Sequence, residues 1–384
     1  MARRTEDLKA VIRRASKDTG RAPERGFHAK AHGGGQCVLT ILGRVPGEFR
    51  YGLFAELGAH QGFYRLSNGL LPWARNASDA LPDVRGLAIK VMRAQAGDLW
   101  TGERAATQDF NGTNIRPFAR DGGQFVAFAE ATAEFASALV RLTRWGRKLG
   151  PPGAAVGALL GAAWGTARML CSYLANPDVA QGVPRRALET ARMLGTILIK
   201  TARPVRSLGA EEYEVAAVQI GPRVARLVIA PSAELSSRLV KGWKPLSRDY
   251  LRENWIENRK RGPMRFDLVL LPYRNERDTP LEDAHVGWKT EHIKVGELVV
   301  PALGGLNEEA AQEALVEQMA FQPWHTFKAN SRRELAAADT EGRGAQGHTP
   351  RGQIQRERFG AYSASAELRG AGPERGGNAA ARSS

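Results

Sequence analysis

Between residues 36 and 73 the apolar residues fall in three short strand-like runs, "QCVLTILG", "EFRYGLFAEL" and "GFYRLSNG", separated by Gly and Pro. Short runs bounded by turn residues in this way predict strands. "RGLAIKVM", residues 85–92, predicts another. The pattern then changes. "GGQFVAFAEATAEFASALVRLTRW" turns helical, and residues 133–200 are Ala- and Leu-rich with helical periodicity broken at Pro151, Pro177 and Pro184. Strands return in "YEVAAVQIG", "RVARLVIAPS", "RFDLVLLPYR" and "HIKVGELVVPA", and "NEEAAQEALVEQMAF" predicts a helix with Glu in its first turn. No repeat occurs, and strands do not alternate with helices as parallel sheets require. The pattern predicts an α+β fold, with antiparallel strands at both ends and a helical insert between them.

Residues 149–167, "LGPPGAAVGALLGAAWGTA", carry no charge and show small residues at four-residue spacing. Their apolarity comes mostly from Gly and Ala, whereas a membrane span needs about 20 strongly apolar residues. The stretch therefore reads as a buried or packing helix. Residues 1–20 are charged throughout, without the apolar run of a secretory signal, and Leu8, Val11 and Ile12 suit a short amphipathic helix. A cytoplasmic location is the expectation.

At 384 residues, 43% hydrophobic and 25% charged, the chain can bury a full core. Its 55 Lys and Arg against 40 Asp and Glu leave a net charge of +15, which favours anionic partners: nucleic acid, an acidic membrane surface, or a small molecule bearing carboxylates. Cys37 and Cys171 lie far apart without C-x-x-C spacing, which supports neither a disulfide framework nor a zinc cluster.

The tail from Thr340 is mostly Gly, Ala, Ser, Arg and Glu, too poor in apolar groups to offset its ordering entropy. Within it, "RERFGAYSASAELRG" places Arg358, Tyr362 and Arg369 on one face of a helix. A cation beside a phenol favours the phenolate, whose ordinary pKa is about 10, and a phenolate is a hard ligand suited to ferric iron. A solvated tail in which Arg and Tyr meet by chance explains the stretch as well. "ERGFHAK" sets Arg25 three residues before His28, "YRLSNG" supplies Arg65 and Ser67, and "TQDFNGTNIRPFARDGGQF" a polar cluster that a turn and helix N-cap would explain.

In combination and order, "RGFHAK", "YRLSNG", "LPDVRGLAIKVM", "QDFNGTNIRPFARD", "VEQMAFQPWH" and "PRGQIQRERFGAY" resemble the haem catalase superfamily, and most of all its small catalase-related peroxidases. The resemblance covers residues 20–130 and 260–370. It implies a closed antiparallel β-barrel with surrounding helices and a C-terminal helix carrying the haem ligand. Residue pattern and resemblance together divide the chain into a helical arm at 1–20, a barrel core at 21–335 with a helical insert at about 131–205, and a polar tail at 336–384 with the ligand helix at 354–369.

The implied cofactor is haem b (iron protoporphyrin IX). His28 matches the distal histidine, Asn114 the distal asparagine with Thr113 as the alternative, and Ser67 the residue steadying the imidazole. Tyr362 matches the proximal iron ligand and Arg358 the arginine holding it as phenolate. Arg25, Arg65 and Arg369 match the arginines on the haem propionates, and Phe125 a further haem contact. The implied activity is peroxidase or catalase chemistry on hydrogen peroxide or an organic hydroperoxide, with a small-molecule reductant and a homo-oligomer both compatible. Splitting a peroxide needs a base that takes a proton from one oxygen and returns it to the other, as a neutral imidazole does, and an anionic axial ligand supplies electron density. Rearrangement of fatty-acid hydroperoxides, haem binding without turnover, and a basic module on nucleic acid or a membrane surface are the alternatives. No aromatic-interleaved basic patch supports nucleic-acid binding.

Overall fold

The structure, a computed structural model, describes residues 28–69, 83–92, 96–98, 107–116, 203–281 apart from 243, 245 and 246, 286–327 and 348–350. It also describes Arg25, Asp79, Tyr362, Ala366 and separate positions between 141 and 171. The predicted helical arm over residues 1–20 and most of the helical insert lie outside these residues.

Eight strands close a barrel: β1 (Ala31–Ile41), β2 (Gly58–Asn68), β3 (Arg85–Met92), β5 (Thr107–Thr113), β6 (Tyr213–Ile220), β7 (Arg223–Pro231), β8 (Met264–Pro272) and β9 (Ile293–Val300). The order is β6-β5-β3-β2-β1-β9-β8-β7, and pairing of β7 with β6 shuts the ring, every pair antiparallel. Closure leaves the ring no free edge. Alternate residues of these strands, among them Leu39, Ile89, Phe110, Leu227, Leu268 and Leu298, fill one continuous core. Each such side chain contributes about 1.5–3 kcal/mol when fully buried.

Three short strands among the described residues lie off the ring. β4 (Ala96–Asp98) pairs with β10 (His325–Phe327), and β11 (His348–Pro350) pairs with the end of β6 that β5 leaves uncovered. The expected strand "EFRYGLFAEL" is instead two 3-10 turns, Gly47–Phe49 and Gly52–Ala55, with Gly52 at φ 53°. The buried residues Phe49, Leu53 and Phe54 recur at helical rather than alternate spacing, and the turns wind them all to the core. Conversely, the polar run "TQDFNGT" is strand β5, buried along most of its length.

Among the described residues, the helices α1 (Ala233–Arg238), α2 (Tyr250–Lys260) and α3 (Leu306–Gln318) pack outside the ring. α1 starts at Ser232, whose hydroxyl accepts the Leu235 amide at 3.1 Å. The glycine run Gly33–Gly35 lets α2 and α3 reach β1. A Cβ at Gly33 would lie 2.7 Å from the Trp255 ring of α2, and one at Gly34 3.0 Å from Val316 of α3. Trp255 donates to the Tyr64 hydroxyl at 3.2 Å. Arg259 to Glu309 at 2.7 Å and Arg252 to Glu313 at 2.6 Å tie the two helices together.

Candidate functional site

Strand register sets four residues in a row across the barrel wall, Ala31 opposite Ser67, Ser67 opposite Gly86, and Gly86 opposite Thr113. Three residues before β1, His28 has φ 57°, the left-handed region that side chains other than glycine adopt at a cost. That turn brings its ring onto the row: Nδ1 lies 3.0 Å from the Ser67 Oγ. A Cβ at Gly86 would fall 2.6 Å from the His28 ring, so only glycine leaves the imidazole its place.

Two arginines close in sequence to His28 and Ser67 converge on one carboxylate. Arg65, buried on β2, donates through Nε to Glu317 Oε1 at 2.7 Å, and Arg25 Nε approaches Glu317 Oε2 at 3.6 Å. Arg25 also donates to the Met319 carbonyl at 2.6 Å and lies over the Phe321 ring. Among the described residues the buried Arg65 Nη2 has no hydrogen-bond partner. This is a site shaped for carboxylates, with one arginine nitrogen unfilled.

Asn114 closes the row's far end with both ends of its amide in use. Oδ1 accepts the Arg85 amide at 2.7 Å and Nδ2 donates to Glu211 at 2.8 Å. Thr113 donates its hydroxyl to the Ile115 carbonyl at 2.8 Å. Tyr362 has helical backbone, as does Ala366 one turn on, and packs edge-on against Trp324 with centroids 6.0 Å apart. Phe125, Arg358 and Arg369 lie outside the described residues. Residues distant in sequence are thus brought together as His28 with Ser67, Arg25 with Arg65, and Tyr362 with Trp324.

Two buried polar groups escaped the sequence reading. His32, fully buried on β1, has no hydrogen-bond partner on either ring nitrogen among the described residues. Burial, and then the charges of Arg85, Lys30, Arg65 and Arg252, hold its pKa well below 6.5. The Asp79 carboxylate 3.8 Å away is therefore no ion-pair partner. Asp79 instead accepts from Lys30 at 2.6 Å and from the Leu251 amide at 3.0 Å. The second group joins Lys90, Asp109 and His325. Lys90 Nζ lies 2.7 Å from Asp109 Oδ2, the same oxygen accepts the Gln322 amide at 2.8 Å, and His325 Nδ1 is 3.2 Å away. Burial alone would raise the Asp109 carboxyl, but Lys90 and His325 together hold it below its ordinary value. This cluster pins the segment carrying Phe321 and Trp324 to the barrel. Its only sequence signal is a lysine inside the apolar run "RGLAIKVM".

The fold is that of the catalases. Catalase A from Saccharomyces cerevisiae matches with a TM-score of 0.56 at 13% identity over 92% of this chain, and a fungal catalase with 0.54 at 16% over 93%. A bacterial catalase matches with a TM-score of 0.50 at 16% identity over 94%. The chain spans only 62–63% of the length of these catalases. By sequence, no protein family matches and no curated protein does.

Proposed function

We propose that the protein binds haem b and acts on hydrogen peroxide or an organic hydroperoxide. The observation that carries this reading is the His28–Ser67 pair, set over Gly86 at the end of a catalase-fold barrel beside two convergent arginines. The residues fit the cofactor: Arg25 and Arg65 would hold propionate, Tyr362 would ligate the iron, and Arg358 and Arg369 would support the phenolate and a second propionate contact. Bound haem supplies the iron at which an O–O bond is cleaved.

The chain's own part is proton handling. With Nδ1–H donating to Ser67 Oγ, His28 keeps a lone pair on Nε2. That nitrogen takes the proton of one peroxide oxygen and delivers it to the other, and Ser67 fixes the ring that does so. Asn114, or Thr113 beside it, would steady the peroxide; both side chains are engaged elsewhere, so this role requires one to turn. That engagement favours a second reading, haem binding without turnover.

One experiment separates the two. The protein reconstituted with haem is expected to show a Soret band and to consume peroxide, and His28→Ala to keep the band while losing about 10²- to 10⁴-fold in rate. A colourless protein unaffected by added haem refutes cofactor and activity together. A Soret band without peroxide consumption leaves the second reading.

A further inference from the structure

Seven large hydrophobic side chains stand exposed among the described residues, and five belong to one helical stretch: Trp145 (52%), Leu149 (62%), Val156 (51%), Leu160 (50%) and Trp164 (58%). The expectation of a buried or packing helix holds for packing at its glycines, but these five side chains are not buried. Its geometry explains why. Trp145 and Gly146 are helical, the chain turns at Lys148 and Leu149, Gly150 takes φ 81°, and helical positions resume from Gly153 to Cys171. The two arms meet backbone to backbone. A Cβ on Gly146 would collide with the Gly153 carbonyl and lie 3.0 Å from the Gly157 Cα, and one on Gly157 would collide with the Leu142 carbonyl. Glycines occupy the seam, so the large apolar residues have no place between the arms and point outward. Val156, Leu160 and Trp164, four apart, make one stripe.

We propose that this helical hairpin seats the protein on an anionic bilayer surface, with the five side chains in the boundary between headgroups and acyl chains. Charge selects this occupant. Arg141, Arg144, Arg147 and Lys148 precede the stripe in sequence and Arg168 follows it, with no acidic residue between Arg141 and Arg168, and the whole chain carries +15. A two-fold contact between copies would set these cations against their own images, whereas anionic lipid neutralises them. Two tryptophans and a basic rim are the composition of a helix lying in the interface. No helix among the described residues is long and apolar enough to cross a membrane, so the contact is a shallow seat. It is independent of haem.

The test is flotation of the full-length protein with phosphatidylcholine vesicles, with and without phosphatidylglycerol, alongside its mass in solution by light scattering. Binding is expected with phosphatidylglycerol and to weaken as salt rises. Trp145→Ser, Leu160→Gln and Trp164→Ser combined should lower the bound fraction more than about tenfold. Lys148→Glu, which leaves the apolar face intact and guards against a folding defect, should weaken binding to the anionic vesicles alone. Wild-type protein that never floats, or flotation unchanged in both variants, overturns the proposal. So does an oligomer that the triple substitution dissolves while neither protein floats, since a second copy would then cover the face.

Discussion

At the scale of single residues, the site depends on what is missing from one position. Gly86 is the second residue of β3, and its absent Cβ is the space the His28 ring fills. Gly86→Ala should therefore keep the barrel's unfolding midpoint near wild type while displacing the imidazole. Peroxide consumption should fall toward that of His28→Ala with haem still bound; a rate equal to wild type would show that the ring does not need this place. His32 makes a separate prediction about acid. Its protonated form is disfavoured in the folded protein, so below pH 6.5 the unfolded chain binds the additional proton and stability falls with pH. The slope is at most about 1.4 kcal/mol per pH unit, starting near 6.5 and ending at the depressed folded value. Urea midpoints between pH 7 and 5 should drop in the wild type and drop less in His32→Leu. Parallel curves would assign the acid loss to other groups.

At the scale of elements, a strand is legible when it carries an apolar run bounded by turn residues. β1, β2, β3, β6, β7, β8 and β9 each contain such a run and are legible in the sequence. β5 is not, because "TQDFNGT" buries its polar side chains against partners from elsewhere: Asp109 against Lys90 and His325, Gln108 against Thr326 at 2.8 Å. Buried polar strands look like turns until those partners are known. The same limit applies to the site. Arg25, His28, Arg65 and Ser67 could be matched to roles by resemblance, but Glu317 could not, since its role comes from α3 docking on the glycines of β1. If the two arginines serve haem propionates, Glu317 competes for them in the protein without haem. Glu317→Gln should then strengthen haem binding roughly fivefold, about 1 kcal/mol, as expected for a half-exposed charged pair. A Soret titration measures it, and unchanged or weaker binding would mean that Glu317 does not occupy a propionate place.

At the scale of the whole molecule, the eight ring strands lie between Ala31 and Val300, and their pairing closes without any residue beyond β11. The tail's chemistry is thus separable from the barrel's stability. Composition alone made the tail look unable to fold, since nothing in its sequence shows the surface that receives it. In the structure that surface includes Trp324, held beside His325 and thereby near the Asp109 cluster, with Tyr362 edge-on against it. If Tyr362 ligates a haem iron, as proposed, three variants grade the tail's role. Truncation after Gln355 keeps β11 and should leave circular dichroism and cooperative unfolding close to wild type, while abolishing haem binding. Tyr362→Phe retains the ring against Trp324 but removes the oxygen, so it should shift the Soret band and shorten haem retention. Arg358→Leu keeps the oxygen and removes the cation that the sequence sets four residues before it, which would leave a phenol that ionises less readily, and should act most mildly. Losing a ligand is worse than detuning one, which fixes this order. Identical spectra in all three would show that the iron ligand lies elsewhere, and a truncated chain that fails to fold would show that the barrel itself needs the helix.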